Sequence, residues 1–406
     1  MKRGETPTSR ALVLGVLWVA YLLNYVDRQM AFTWFPVLRH DVGFSDTQLG
    51  LIGSVFLWTY SVCAPFGGRI CDRYSRRAII TASIAGWSLA TIGTGLSRSP
   101  GTFLFWRGVV GFTEGFYYPA AVSTLVQVFG NALRGRAIAL HGIAQFAGIT
   151  LGGWLGGLAA DRWGWRSACF AVGVCGFLYS PIVRGGLRGV REQQTGSGRY
   201  ALANLRWSTC LSAIGASFFL ICAMLWMLYA WLPDVIHSRF SLSLASSGLN
   251  ATLVLQLSSM TGLLSGGAIG DWGRERHVEA RGYMVAIGLL LCSPFAWLCF
   301  SATSLPMLWF AEAAFGLTSG LMLSNVVAGA YDLVPESQYG TIAGLMTLIG
   351  GLGGGLSMLA TGVWLKRSTP DVLMRWTSLA GIIAAILLAI VVAKRFSIEA
   401  AESPSG

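Results

Sequence analysis

Charged side chains are scarce in this sequence: Asp, Glu, Lys and Arg make up 12% of 406 residues, and only 18 residues are acidic. An average soluble domain carries about twice that share. No G-x-x-x-x-G-K-[ST] stretch occurs, which excludes an ATP-driven pump built on a phosphate loop. The eight cysteines fall mostly within apolar runs and lack short metal-ligand spacing. They are expected to pack as small apolar residues, with no disulfide, no metal and no cofactor. No polar segment is long enough to fold by itself. An added soluble sensory or catalytic domain is therefore not expected. Candidates for a buried nucleophile and base are few, so the chain is not expected to be an enzyme.

What the sequence has in abundance is apolar surface. It is 54% hydrophobic, has a mean hydropathy of +0.60 and contains 52 glycines. About twelve runs approach or exceed 20 residues, the first near 11–37, the fourth near 101–129 and the last near 372–393. A run of about 20 apolar residues crosses a bilayer as a helix, because only a helix satisfies its own backbone there. The first run is too long, and too poor in a small-residue cleavage site, for a removed signal peptide. The net charge of +11 does not point to nucleic acid. With a cytoplasmic N-terminus, inner segments hold 19 of the 29 Lys and Arg, outer loops 8 and helices 2. That is the positive-inside bias of a multi-pass protein of the cell (inner) membrane with both termini in the cytoplasm. The expected partners are a small molecule, protons and lipid, for a chain working as a monomer.

An internal repeat organises the runs. "F-G-G-R-I-C-D-R" (66–73) recurs as "S-G-G-A-I-G-D-W" (265–272), and "G-F-T-E-G" (111–115) as "G-L-T-S-G" (316–320). The one long polar break, residues 188–200, precedes the second copy. This predicts an all-α membrane protein of twelve transmembrane helices in two six-helix bundles, 1–187 and 207–406. The bundles are joined by a cytoplasmic linker, 188–206, and related by a pseudo-two-fold axis, with a substrate site between them.

"G-G-R-I-C-D-R-Y-S-R-R" (67–77) resembles the signature loop of the major facilitator superfamily, with Ser75 where glycine is usual. Within that superfamily, "L-N-Y-V-D-R" (23–28) and "R-G-V-V-G-F-T-E-G" (107–115) resemble two groups: the anion:cation symporters of sugar acids and related organic anions, and the spinster transporters of lysolipids and sphingolipids. "F-S-D-T-Q-L-G-L-I" (44–52) is similar to spinster chains, and "E-G-F-Y-Y-P-A-A" (114–121) to the anion symporters. The resemblance implies secondary active transport by alternating access. One form is proton-coupled symport of a small organic anion; the alternative is proton-linked transport of a lysolipid, sphingolipid, drug or other amphiphile. In both groups the matching helix 1 aspartate and helix 4 arginine and glutamate are associated with proton coupling or gating. Here these are Asp27, Arg107 and Glu114.

A charge at the bilayer centre costs at least about 2.5 kcal/mol, so it is expected to face a cavity or a partner. Arg107 and Glu114 lie seven residues apart on one helical face, roughly 10 Å along the axis, with Asp27 between them in depth. One arginine is then expected to face two acids, with Arg28 turned elsewhere by about 100°. One acid would be incompletely neutralised and so become a proton site. The other candidates for substrate contact are Arg28, Tyr118, His141 with Gln145 four residues on, Trp226, Tyr229 and Glu312. Glu312 occupies the repeat position of Arg107, and opposite charges there would close the outer side when the halves meet. At the cytoplasmic end, Asp72, Arg73, Arg76, Arg77, Arg134 and Arg136 form a candidate gate, with Asp72 facing the exposed helix N-terminus near 338–341. Asp234 and Asp332, near helix ends, are expected to face water or cap a neighbour. The run "G-G-L-G-G-G" (350–355) is expected to permit close packing and bending.

Overall fold

The computed structural model describes residues 9–190 and 208–402. Every regular element among them is a helix: α1 (Arg10–Thr33), α2 (Phe35–Asp41), α3 (Asp46–Arg73), α4 (Arg76–Gly95), α5 (Pro100–Glu114), α6 (Tyr117–Trp163), α7 (Trp165–Gly186), α8 (Thr209–Phe240), α9 (Leu244–Asn250), α10 (Leu253–Arg274), α11 (Ala280–Ser301), α12 (Leu305–Tyr331), α13 (Tyr339–Trp364) and α14 (Pro370–Glu402), plus a 3₁₀ turn at Glu336–Gln338. Serines start several of them. Ser45 and Ser99 each close a capping box, and Ser75 and Ser304 accept from the first turn of α4 and α12, which satisfies backbone donors that helices leave bare.

Among the described residues, eleven helical spans are long and apolar enough to cross a membrane, one of which, Leu244–Arg274, joins α9 and α10 across the turn at Ala251 and Thr252. The fourth expected run, 101–129, is not continuous. It is made of α5 and the first part of α6, parted by a two-residue turn at Gly115 and Phe116. A second interruption falls at Gly130, whose φ of 63° is easy only for glycine, and the apolar span 133–163 follows it.

The chain divides into two compact units, Met1–Ser197 with Pro233–Thr252, and Gly198–Leu232 with Leu253–Gly406. The stretch holding the end of α8 and all of α9 therefore groups with the first unit, although it lies in the second half of the sequence. In the first unit α1 lies against α6, where Gly148, Gly152 and Gly156 face the backbone of Leu22, Val26 and Met30. In the second, the pairs α10–α12 and α11–α12 are packed along their lengths, and a Cβ on Gly262 would overlap the Leu317 carbonyl. Without a strong hydrophobic drive between helices in lipid, such close approach of small residues supplies the packing. Of the expected glycine run, Gly350 faces Phe218 and Gly353 faces the Phe219 carbonyl. The seven described cysteines are free, and six are buried.

Gly111 of α5 sits directly on the Phe56 carbonyl of α3, and a Cβ there would overlap it. Gly111→Ala is expected to push α3 from α5 and cost about 1–3 kcal/mol. In a thermal-shift assay in detergent it should melt clearly below Gly101→Ala, since Gly101 has nothing within 4 Å of an added Cβ.

Candidate functional site

Four helices of the first unit bring its buried charges together. The helical spacing of α1 puts Asn24 and Arg28 on one face, α4 contributes Thr91, α3 contributes Phe56 and Tyr60, and α5 contributes Arg107 and Glu114. Glu114 is the last residue of α5 before the turn at Gly115. All four charged side chains are withdrawn from solvent, at 6% exposure or less.

The pairing differs from the expected one. Arg28 Nη2 donates to Glu114 Oε2 at 2.8 Å and to Asn24 Oδ1 at 3.3 Å. Its guanidinium lies over the rings of Tyr25, Phe56 and Tyr60, with centroids at 4.4, 4.6 and 5.1 Å. Arg28 does not point elsewhere. The 100° step along α1 sets where its Cβ leaves the helix, but the long arginine stem swings across that angle. Arg107 pairs with Asp27, Nη1 to Oδ1 at 3.8 Å, which is an ion pair outside hydrogen-bond reach. Asp27 Oδ2 accepts a 2.7 Å hydrogen bond from Thr91 Oγ1. Phe56 also carries Arg107, at 5.1 Å, so one ring lies under both cations. The structure thus sets two arginines against two acids, and the expected imbalance of one cation to two acids is absent.

The site is balanced in charge but incomplete in hydrogen bonds. Nε and Nη2 of Arg107 and Oε1 of Glu114 are buried without a hydrogen-bond partner. Buried polar groups are ordinarily satisfied, and a guanidinium with two free donors presents the fork that fits a carboxylate.

A second cluster in the same unit is aromatic. The His141 ring stacks on Tyr21 at 4.3 Å, and Tyr117 and Tyr118 lie 6.3 and 6.4 Å from it. Tyr21 Oη donates to Gln145 Oε1 at 3.5 Å. His141, Gln145 and Tyr118 are therefore brought together, joined by Tyr21 and Tyr25, which sequence reasoning missed. Their signal was available: Tyr21, Tyr25 and Arg28 recur on one face of α1 with the spacing of a helix.

Of the other candidates, Trp226 and Tyr229 of α8 meet edge to face at 5.8 Å in the second unit. Trp231 is buried and its Nε1 donates to Met358 O, a packing role. Glu312, also in the second unit, is fully buried, and neither of its carboxylate oxygens has a hydrogen-bond partner. In the expected gate, Arg73, Arg134 and Arg136 are exposed. Arg76 is buried and ties α4 to α6 through Gln127 Oε1 at 2.8 Å, and Arg77 is half-buried. The side chain of Asp72 lies outside the described residues.

Asp234 and Asp332 neither face water freely nor cap a neighbour. Arg39 holds both oxygens of Asp234, at 2.7 and 2.8 Å, and Asp46 at 2.8 Å. Burial alone would lower the proton affinity of the Arg39 guanidinium, but the hydrogen bonds and charges of Asp234 and Asp46 outweigh it and raise it above the usual arginine range. Asp332 is met by Arg281 at 3.1 Å and Arg274 at 3.3 Å. The carboxylate of Asp161 accepts the first backbone N–H groups of α9, from Leu244 and Ala245, at 3.1 and 2.9 Å.

A family model described as Major Facilitator Superfamily matches residues 17–358. The chain belongs to this superfamily. It is similar to the probable sulfoacetate transporter of Cupriavidus necator, at 26% identity over 89% of this chain and 88% of that one. It is also similar to the probable galactarate/D-glucarate transporter of Escherichia coli K12, at 24% over 87% and 88%. Protein spinster of Drosophila melanogaster is 26% identical over 70% of this chain and 50% of that one. Both groups indicated by the helix 1 and helix 4 motifs are thus among the superfamily relatives. The crystal structure of a bacterial homologue of the human lysosomal transporter spinster, inward-facing and occupied, superposes with a TM-score of 0.76 at 18% identity, covering 99% of this chain and 100% of that one. The fold is that of the superfamily, and the protein is a multi-pass membrane transporter of small molecules.

Proposed function

We propose that this transporter carries a small organic anion together with a proton by alternating access, as a monomer in the cell (inner) membrane. Both termini lie in the cytoplasm, and the halves 1–187 and 207–406 are the moving bodies. The observation that carries the reading is Arg107. Its guanidinium is buried, and two of its donors are unanswered. A substrate carboxylate would supply the missing acceptors. The relatives named for sulfoacetate and galactarate/D-glucarate transport support an anionic substrate.

Charge balance supplies the coupling. Two cations and two anions fill the site before substrate enters, so the substrate carboxylate that docks on Arg107 leaves one negative charge in excess where water does not screen it. A proton on Asp27 removes the excess. Thr91 can serve both forms of that acid. Its hydroxyl lies 2.7 Å from Asp27 Oδ2 and 2.9 Å from Trp87 O, so its one hydrogen goes to ionised Asp27, or to Trp87 O while a protonated Asp27 donates to it. The test is uptake of radiolabelled galactarate or sulfoacetate into proteoliposomes with an acidic outer solution. Accumulation that vanishes with the pH gradient is expected; equal uptake by empty liposomes would end the reading.

One feature favours an amphiphile instead. A groove of about 540 Å³ in the second unit is lined by Leu211, Gly215 and Phe219 of α8 and by Leu345, Met346 and Ile349 of α13. A spinster-like cargo would lay an acyl chain in it. Uptake of a labelled lysophospholipid in the same vesicles, with no response to organic acids, would establish that alternative.

A further inference from the structure

When uncharged, the His141 ring has a tautomer dictated by its neighbours. A phenol has a single hydrogen to give. Tyr117 Oη lies 2.8 Å from the Leu17 carbonyl, which can only accept, so that hydrogen is committed to Leu17 O. The same Oη lies 3.4 Å from His141 Nε2. With its hydrogen spent, Tyr117 can meet the ring only as an acceptor, and Nε2 carries the ring hydrogen. Nδ1 is then the lone-pair nitrogen. It is buried, and no described group donates to it. Tyr118 is the exposed member of the aromatic cluster, at 38%.

We infer that His141 Nδ1 is a specificity site that accepts a hydrogen bond from a hydroxyl of the transported anion, so that the carrier selects hydroxylated organic acids over unsubstituted ones. The inference rests on the organic-anion reading proposed above. Arg107 takes the carboxylate, which every such acid has. His141 takes a donor that only the hydroxy acids have, and the rings of Tyr21 and Tyr118 offer apolar faces to the C–H side of a polyhydroxylated chain. A site built around an unsatisfied acceptor discriminates strongly, because a substrate lacking the donor leaves the acceptor bare.

Two acids of equal length separate the inference from its foundation: galactarate, with a hydroxyl on each inner carbon, and adipate, with none. Full-length protein in nanodiscs, labelled with ¹⁵N-histidine, should give an Nε2–H tautomer for the resonance that disappears in His141→Asn. Galactarate should move its Nδ1 signal, adipate should not, and galactarate should bind at least roughly ten-fold more tightly. His141→Asn places an amide oxygen near the Nδ1 position and should keep much of this preference. His141→Gln places its amide near Nε2, keeps the Tyr117 contact, and should bind the two acids about equally. Tyr117→Phe should release the tautomer and weaken the preference. An Nδ1–H tautomer, or equal binding of both acids by the unmodified protein, overturns the hydroxyl inference and leaves the organic-anion reading standing. Failure to bind either acid overturns both.

Discussion

Asp27→Asn should bind substrate and exchange it, yet fail to concentrate it. Asparagine keeps the shape of the carboxyl and can still accept from Thr91, but it cannot gain or lose a proton. In proteoliposomes under a two-unit pH gradient, one proton per cycle is worth about 2.7 kcal/mol, or roughly hundred-fold accumulation. The unmodified protein should approach that ratio, and Asp27→Asn should level off near one-fold while counterflow exchange persists. Glu114→Gln separates the two acids. Glu114 is held at 2.8 Å by Arg28, so its neutral variant should weaken binding through a displaced Arg28 before it affects coupling. Full accumulation by Asp27→Asn would remove the proton from this residue and leave its pair with Arg107 a static one.

Arg107→Ala should do the greatest damage of any single substitution in the site. It leaves Asp27 buried without its paired cation, a change of about 3–5 kcal/mol, and it removes the donors meant for the substrate. Poor expression and a lowered melting temperature are expected. Two further variants divide these effects. Asp27→Asn with Arg107→Ala removes both members of the pair and should recover stability without recovering binding. Arg107→Lys keeps the charge but loses the planar fork, and should fold while binding roughly ten- to hundred-fold more weakly. If Arg107→Lys binds as well as the unmodified protein, the carboxylate lies elsewhere, and Arg28 is the next arginine to test.

Much of the frame was legible because the membrane makes hydrophobic length a strong signal. Nine of the twelve apolar runs appear as unbroken helices among the described residues; the first is parted at Trp34, the eighth at Ala251 and Thr252, and the fourth at Gly115 and Phe116. The fourth was misread as continuous because Gly115 and Phe116 are apolar, and hydropathy does not register a local break in hydrogen bonding. The charged residues themselves were found, since an ionisable group in lipid is too costly to be incidental. Their partners were not. Periodicity places Cβ atoms, whereas the Arg28–Glu114 contact depends on how far a flexible stem reaches and on aromatic rings of α3 that no spacing rule links to α1. Tyr21 was passed over for a related reason: a tyrosine in a greasy helix looks like packing until His141 is seen stacked on it. The Arg39, Asp46 and Asp234 cluster was missed because it joins positions almost 200 residues apart.

The glycine seams bear on how this transporter should be dissected genetically. Gly111 touches the Phe56 carbonyl and Gly262 the Leu317 carbonyl, and an alanine at either position would be driven into peptide backbone. A saturation scan scored on growth or uptake should therefore rank these positions beside Arg107 and Asp27, although they never meet the cargo. Intolerance to substitution would mark the whole seam and the site alike. Only a scan read twice, once for protein reaching the membrane and once for flux per molecule there, would separate codons that preserve the scaffold from codons that move the solute.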